Sequence, residues 1–494
     1  MDGDAAVEPE LDAFSLVLPL PYRVALITVL ATWGWGANLH YLYLLKIDVP
    51  SLIRYPGRTS GAHIPHHHSA YRLATVTSSV LAASLLLFWA LTRHNVDRVL
   101  ALDWMPMTTL AVLGLLLILP FPLTLLQRYT GIVRSSGGGS SSSNPRRTPA
   151  SPPTWALPQD GRRRFATTLR RVLVGGLAEA QHGKFGDILL ADVLTSYSKV
   201  LGDLYVCLCM FFFAAPRGGR DEASATDRPD RNCGGGVLVP LIMAMPFLAR
   251  FRQCMIEYLR VRRSGVGGGG GGGTGLQHLA NAAKYATSFP VILFSALQRS
   301  AKAAEDASAS TPATGSASTM YYRLWLAAVL ANSLYSFYWD VAKDWDLTLF
   351  DGARARNAPD HPWALRRRRL VGGGQPIVYY GAMALDLLLR CTWSLKLSPH
   401  LDHVADFESS LFLMQLLEVL RRWVWIFFRV ETEWIRSTST TSTGSDLFAG
   451  GTGLLLGGMS PGSSGGSASS TISSSDILLG DYQPKYGDED EDDV

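Results

Sequence analysis

Charged residues, cysteines and recognisable catalytic motifs are all scarce in this 494-residue sequence. Only 17% of the residues are charged, against roughly 25% in an ordinary soluble domain. The five cysteines are too few and too scattered for a disulfide framework. No Ser/His/Asp or Cys/His constellation and no H-E-x-x-H motif is recognisable. These absences argue against an enzyme, a disulfide-stapled domain and a structural zinc protein.

Charge and local motifs exclude further classes. The net charge of +4 is small and spread over several loops, so composition gives no reason to expect a nucleic-acid partner. The histidine run 66–68 has no Cys or carboxylate ligands at fixed spacing, and we interpret it as a solvated loop. The glycines at 372–374 follow no strand and precede no G-K-[ST], so they predict no phosphate loop. We therefore expect neither a cofactor nor a metal.

Long apolar segments are what the sequence does have. Nine segments reach the ~17–25 residues that a helix needs to span a bilayer, and many have Trp or Tyr near their ends, as membrane interfaces favour. They lie at 20–45, 70–92, 105–127, 186–213, 237–259, 276–298, 321–342, 376–398 and 409–430. The predicted fold is all-α: a polytopic transmembrane helical bundle in membrane lipid, with disordered loops and a disordered C-terminal tail.

A tenth segment, 161–177, leaves the number of spans at nine or ten. It is short and rich in arginine, and its composition favours an interfacial amphipathic helix over a short crossing. With nine spans, the arginine-rich stretches 128–171 and 343–375 fall on one side of the membrane. With ten, they fall on opposite sides. In both cases the C-terminus shares a side with 343–375, so the positive-inside rule predicts a cytoplasmic C-terminus.

Composition divides the chain into five parts. They are a short acidic N-terminal segment (1–19), the first three transmembrane helices (20–130), a Ser/Gly/Pro-rich linker (131–160), the main transmembrane domain (161–434) and a Ser/Thr/Gly-rich tail with an acidic end (435–494). Two low-complexity loops, 264–275 and 300–319, interrupt the main domain. The composition of the linker, loops and tail predicts disorder.

Ionisable residues inside the spans are candidates for function, because an unpaired charge is costly in hydrocarbon. Three pairs have i, i+4 spacing and are expected to meet on one helix face: Asp386 with Arg390, Glu418 with Arg422, and Arg429 with Glu433. Four cations are harder to neutralise in this way: Lys284, Arg390, Arg421 and Arg422. Because Arg421 and Arg422 project about 100° apart on a helix, at most one of them lies squarely on the Glu418 face.

A surplus of cations along a membrane pathway favours an oxyanion ligand. Guanidinium groups match phosphate oxygens with two parallel hydrogen bonds. Nearby acids such as Asp192 and Asp340 would hold the arginines in place and keep binding weak enough for release. The residues by themselves thus lead to the hypothesis of an anion site.

Six motifs, in this order, resemble the EXS domain, the membrane module of eukaryotic phosphate exporters. They are FGDILLADVLTSYSKVLGDL (185–204), PFLARFRQCMIEYLR (246–260), HLANAAKYATSFPVILFSAL (278–297), SLYSFYWDVAKDWDL (333–347), LDLLLRCTWSL (385–395) and EVLRRWVWIFFRVETEW (418–434). The first three spans resemble the family more loosely, through WGWGANLHYLY (33–43). Thr195 stands where members often have Asn, and Trp345 is followed by Asp346 where Trp-Gly is usual.

The resemblance implies export of inorganic phosphate through a helical bundle whose central pathway binds the anion. Position by position, it implies phosphate binding by Asp192, Lys284, Tyr285, Arg390, Arg421 and Arg422. It implies that Asp340 and Glu418 are supporting acids. It also implies that Trp393, one helical turn past Arg390, closes the pathway as a gate.

About twenty residues precede the first span, and we expect no SPX domain there. The chain therefore resembles the short fungal branch of the family, which is named for defects in retaining ER luminal proteins. This resemblance implies a multi-pass Golgi membrane protein that cycles through the ER. It also implies export to the cytosol of phosphate released by luminal glycosylation, which supports retention of ER proteins and recycling of glycosyltransferases.

Two other functions stay open at this point. One is a non-transporting trafficking protein whose cytoplasmic loops or tail recruit Golgi sorting factors. The other is a membrane-embedded transferase acting on a phosphorylated lipid, with Asp192 or His278 as base, although no catalytic motif supports it. The sequence also leaves open the transport direction, the driving ion and whether the chain forms a homodimer.

Overall fold

The computed structural model describes residues 13–54, 66–118, 159–213, 229, 231, 233–264, 275–307, 317–350, 365–366, 368–392 and 407–451. The regular elements in these ranges are helical, and no strand occurs within them. The predicted all-α class is therefore confirmed for the part of the chain that the structure describes.

We number the α-helices in chain order. They are α1 Ala13–Val17, α2 Leu20–Leu44, α3 Val49–Leu52, α4 His66–Thr92, α5 Val96–Ala101, α6 Trp104–Ile118, α7 Gln159–Leu173, α8 Lys184–Ser196, α9 Ser198–Phe213, α10 Leu238–Ser264, α11 Leu276–Ala286, α12 Ser288–Ala307, α13 Ala317–Trp339, α14 Pro376–Arg390 and α15 Phe407–Gly451. Two 3-10 turns, Ala180–His182 and Val371–Gly374, and a π-helical turn, Asp340–Asp344, lie between them.

Two of the described helices, α4 and α10, are long and apolar enough to cross a membrane. The consecutive helices α8 and α9, bent by 67° at their junction, make a third crossing if they form one span. Several other helices are not apolar or long enough to cross a membrane by themselves. α15 carries ionisable side chains, and α11 and α12 are interrupted at Thr287. The described part of the structure is helical and contains two or three segments that are long and apolar enough to span a membrane, and it leaves the predicted count of nine or ten spans unconfirmed.

One end of the bundle is marked by a disulfide, and we call it the disulfide end. Cys209, near the end of α9, is bonded to Cys233, which precedes α10. Arg23 of α2 and Arg231 both donate to the carboxylate of Glu408, at the start of α15, at 2.7 Å. The sequence did not single out this bond, since its cysteines are 24 residues apart and share no motif.

The opposite end, which we call the arginine-rich end, is closed by a buried ion pair. Arg366 donates to Glu431 of α15, and Tyr379 of α14 donates to the same carboxylate at 2.6 Å. The backbone N–H of Val371 also donates to Glu431, at 3.0 Å. These contacts attach the segment before α14 to the last buried turns of α15.

The arginine-rich helix α7 has both of its ends at this same end of the bundle. Near its start, Arg164 donates to the backbone carbonyl of His182 at 3.1 Å. Near its end, Arg171 donates to Asp187 at the start of α8 through Nε at 2.6 Å. The helix is strongly amphipathic in sequence, as an interfacial helix is expected to be.

Close packing of α2 on α15 depends on a glycine. A Cβ atom added to Gly34 would lie 2.2 Å from the indole ring of Trp423, so no larger residue fits unless the helices separate. Gly34 lies within the WGWGANLHYLY motif, and this contact gives one physical reason for a small residue there.

Two predicted loop boundaries are wrong. α12 continues to Ala307 and α13 begins at Ala317, so both helices extend into the predicted loop 300–319. The tail predicted to be disordered from 435 begins as the last part of α15, which runs to Gly451. Neither Pro nor Gly occurs between 435 and 443, so no strong helix breaker stops α15 from continuing into the tail. The linker 131–160 and the loop 264–275 lie almost wholly outside the described residues.

The histidine run 66–68 is not a solvated loop. It forms the first turn of α4, and His67 is only 5% exposed. Its ring stacks on that of His40 with centroids 4.4 Å apart. Burial follows from packing against α2, which the spacing of the histidines could not show. Across the described ranges, no group of three or more His, Cys, Asp or Glu residues is arranged to hold a metal ion.

Candidate anion-binding site

Several helix interruptions lie around the predicted site. α8 gives way to α9 at Tyr197, α11 to α12 at Thr287, and α13 ends in the π-helical turn Asp340–Asp344. Interrupted helices at membrane depth are tolerated where they line a cavity or a binding site. The predicted site residues lie on these interruptions or next to them.

Asp340 is the centre of a buried ion-pair network. Its side chain is fully buried at the start of the π-helical turn. Lys284 donates to Oδ1 at 2.9 Å, Arg390 donates to Oδ2, and Arg421 Nη1 lies 3.4 Å from Oδ2. The carboxylate of Asp340 thus contacts three of the four cations for which the sequence alone did not indicate a sufficient acidic partner.

Arg421 is neutralised mainly by Glu418 and Asp386. It donates to Glu418 at 2.6 and 3.0 Å and to Asp386 at 3.0 Å. The predicted pair of Asp386 with Arg390 is confirmed, at 3.0 Å. The predicted pair of Glu418 with Arg422 is wrong, because Arg421 takes the Glu418 carboxylate and Arg422 projects towards α8 instead. The other predicted pair, Arg429 with Glu433, is confirmed at 3.0 Å.

Arg422 differs from every other cation of the network in having neutral partners. Its Nε donates to the Ser196 hydroxyl at 2.8 Å, and Nη2 donates to the Thr195 hydroxyl at 3.2 Å. Its guanidinium also lies over the ring of Trp425, 4.6 Å from the centroid. Among the described residues, no carboxylate oxygen lies within 4 Å of this guanidinium. Thr195 keeps a hydrogen-bonding oxygen at the position where the family often has Asn.

Asp192 and Tyr285 form a second part of the network around Arg250, which the sequence reasoning missed. Arg250 donates to Asp192 at 2.6 Å and to the Tyr285 hydroxyl at 3.1 Å, while Tyr285 donates to the same Asp192 oxygen at 2.5 Å. The arginine is only 3% exposed. The signal that could have identified it is its position inside the predicted span 237–259, where an arginine is costly.

The cations of the network are balanced by acids. The acids are Asp192, Asp340, Asp344, Asp386 and Glu418, and the cations are Arg250, Lys284, Arg390, Arg421 and Arg422. The expectation of an overall cation surplus is therefore wrong: five formal negative charges face five positive ones. One cation, Arg422, still lacks an acidic partner in direct contact among the described residues. The charges are equal in number because acids from separate helices converge, and spacing within one helix cannot show this.

A cavity reaches this network from the arginine-rich end. It offers about 60 Å³ to water-sized spheres, several times the ~15 Å³ that one water needs. Asp192 and Arg250 lie along it, together with Asp344, Arg429 and Arg436. Its walls are mixed in charge and rich in hydrogen-bond donors, so the cavity is polar where it meets Asp192 and Arg250.

The structure brings together all of the predicted binding residues and both supporting acids. Trp393, the predicted gate, lies outside the described residues. The residues missed by the sequence reasoning are Arg250, Asp344 and the hydroxyls of Thr195 and Ser196. His278 and Asn281 also line the cavity.

Comparison with known proteins gives consistent matches. The sequence model of the EXS family matches residues 18–435. Protein ERD1 homolog 2 of Schizosaccharomyces pombe is 25% identical over 442 residues, which cover 84% of this chain and 96% of that protein. Protein ERD1 of Kluyveromyces lactis is 31% identical over 280 residues, covering 55% of this chain and 65% of that protein. Solute carrier family 53 member 1 of Homo sapiens is 30% identical over 261 residues, covering 50% of this chain and 32% of that protein.

Proposed function

Because the chain belongs to the EXS family, we propose that it is a membrane transporter of inorganic phosphate. The observation that carries this proposal is Arg422, a buried guanidinium whose hydrogen bonds in the described network go to two hydroxyls. Guanidinium groups prefer carboxylate or phosphate oxygens as planar, bidentate partners. A phosphate anion at Arg422 would give this guanidinium the directly bonded anionic partner that the described residues do not supply.

Binding at this site would be moderated by the acids of the network. Arg390 and Arg421 already have carboxylate partners, so an incoming phosphate competes with them rather than meeting bare cations. Competition lowers the affinity, and a transported ion must be able to leave. Asp192 can accept a hydrogen bond from a phosphate hydroxyl, because its carboxylate lies on the cavity that reaches the network.

We infer that the chain crosses the membrane nine times, with α7 lying on its surface. The support is that both ends of α7 make contacts at the arginine-rich end. The positive-inside rule then favours the cytosol for that end, and for the C-terminus that follows α15. The Cys209–Cys233 bond at the opposite end fits an oxidising lumen.

Similarity to proteins named ERD1 supports a location in the ER and Golgi system, and similarity to a solute carrier supports transport. We infer that the protein returns phosphate, released in the Golgi lumen by glycosylation, to the cytosol. By clearing this product it would support retention of ER luminal proteins and recycling of glycosyltransferases.

Phosphate flux from vesicles tests the proposal. The purified full-length chain is reconstituted into liposomes loaded with radioactive phosphate, and efflux is followed over time. Saturable efflux above that of protein-free liposomes is expected, and Arg422→Gln should reduce it at least 10-fold, about the effect of losing one charged hydrogen bond. Lys302→Gln, at an exposed position of α12, is the matched control. Efflux equal to that of protein-free liposomes would contradict transport.

A further inference from the structure

Lys199 lies on a helix face that points into the bundle. Asp203 stands four residues after it on α9, so these two side chains share one face of that helix. Asp203 contacts α15, because Gln415 donates to it at 2.6 Å; Ser196, just before the bend between α8 and α9, donates to Glu418 of α15 at 2.7 Å. Lys199 therefore faces α15 and not the surrounding lipid.

The Lys199 side chain is nevertheless exposed, which requires open space between α9 and α15. The Glu418 side chain is 35% exposed whereas that of Arg421 is 4% exposed, so the same space reaches Glu418. Lys199 interacts electrostatically with Glu418 and Asp203. Within the described part of the chain, however, no carboxylate lies within 4 Å of its ammonium group. The lysine is thus a cation in an open interior space without a direct ion-pair partner there.

The charges around this space explain why a cation is useful there. An anion that enters from the disulfide end, the proposed luminal side, has to pass Asp203 and Glu418 before it reaches Arg422. Glu418 is paired with Arg421 at 2.6 Å, whereas Arg231 lies 3.7 Å from Asp203 but donates to Glu408 at 2.7 Å, so Asp203 is compensated only in part. The partly compensated Asp203 would repel a phosphate, because like charges a few ångströms apart repel strongly where the effective dielectric constant is low.

We propose that Lys199 forms a second phosphate subsite, on the disulfide side of Arg422, through which the anion passes Glu418 and Asp203. This inference rests on the proposed transport function and adds a residue that the family resemblance did not supply. An ammonium group suits the task because it is a compact charge with three donors on a flexible stem, and it can follow a moving anion.

Transport kinetics test the subsite in the reconstituted full-length chain. Lys199→Gln should lower the maximal phosphate flux about 10-fold, the effect of losing one charged hydrogen bond along the path. The affinity of the Arg422 site for phosphate should stay within about 2-fold of the parent, because the contacts of that site are intact and only the Lys199 subsite is lost. Lys199→Arg should restore most of the flux, and Lys302→Gln is again the control. Parental flux in Lys199→Gln, or an equal loss in Lys199→Arg, would overturn the proposal.

Chemical labelling gives a readout that does not need transport. In the parent chain, a water-soluble lysine-acylating reagent should modify Lys199, as read by peptide mass spectrometry, and inorganic phosphate should slow this modification while chloride does not. An unmodified Lys199, or modification indifferent to phosphate, would overturn the subsite even if the parent transports phosphate. If the parent transports none, the proposed function fails, and phosphate protection of Lys199 still decides whether an anion binds here.

Discussion

Replacing Arg421 and Arg422 by glutamine, one at a time, separates an arginine that holds the fold from one that meets the ligand. Arg421 is itself buried, and Arg421→Gln leaves Glu418 without its ion-pair partner and the buried Asp386 with Arg390 alone. Breaking a buried ion pair from one side costs about 3–5 kcal/mol. Arg422→Gln removes hydrogen bonds to two hydroxyls, which an amide can partly replace, so we expect a loss of about 1 kcal/mol.

The expected effects on phosphate binding run in the other direction. Arg422 has no carboxylate partner within 4 Å among the described residues, so its guanidinium is free to bind phosphate through charged hydrogen bonds. Each such bond contributes about 1.5–3 kcal/mol. Its loss should therefore weaken phosphate binding roughly 10- to 150-fold in a protein that is still folded.

Two measurements on the detergent-purified protein check this contrast. Denaturant unfolding without phosphate gives the stability of each variant, and isothermal titration with phosphate gives the affinity. Arg98→Gln, at an exposed position of α5, is the matched control. The reasoning is refuted if the Arg421 and Arg422 variants lose equal stability, or if Arg422→Gln binds phosphate as tightly as the parent.

Three further outcomes follow from the packing, the backbone and the disulfide. Gly34→Val should destabilise the protein by about 1–3 kcal/mol through overpacking against an indole ring of α15; Gly114→Val, with nothing within 4 Å of its Cβ, controls for the loss of a helical glycine, and equal losses would contradict the contact. Asp346→Gly should raise the unfolding midpoint slightly in a thermal melt, because Asp346 has a φ of +51° that costs an L residue about 1 kcal/mol; a lower midpoint would speak against strain there. Cys209→Ser frees the thiol of Cys233. An impermeant maleimide added from the cytosolic side of intact vesicles should not label this thiol, and labelling of Cys233 from that side would contradict the proposed topology.

The family, the helical class and the members of the site could be predicted from the sequence because charges are rare in long apolar segments. Lys284, Arg390 and Asp340 stand out for that reason, and the structure places them in one network. Asp346 illustrates a departure from the family pattern that the backbone explains. Its positive φ is the conformation that favours glycine, and Asp is among the residues that tolerate it.

Other features depend on contacts between distant parts of the chain and were not predictable. Arg250 reaches Asp192 across 58 residues, and Lys284 reaches Asp344 across 60. Whether the run at 66–68 is solvated or buried depends on α2 packing beside it. None of these contacts leaves a spacing pattern, because the partners lie on different helices.

The sequence by itself determined that this chain is helical, that it belongs with the EXS proteins, and which charges lie within its apolar segments. Only the tertiary structure decided how those charges are shared: Arg421 is neutralised by acids, Arg422 is left with hydroxyls, and Lys199 faces open space. The physical reason is that helical periodicity sets the direction of a side chain about its own axis. Which group stands opposite depends on how the helices pack, and that determines whether a buried charge is paired or remains available to a ligand.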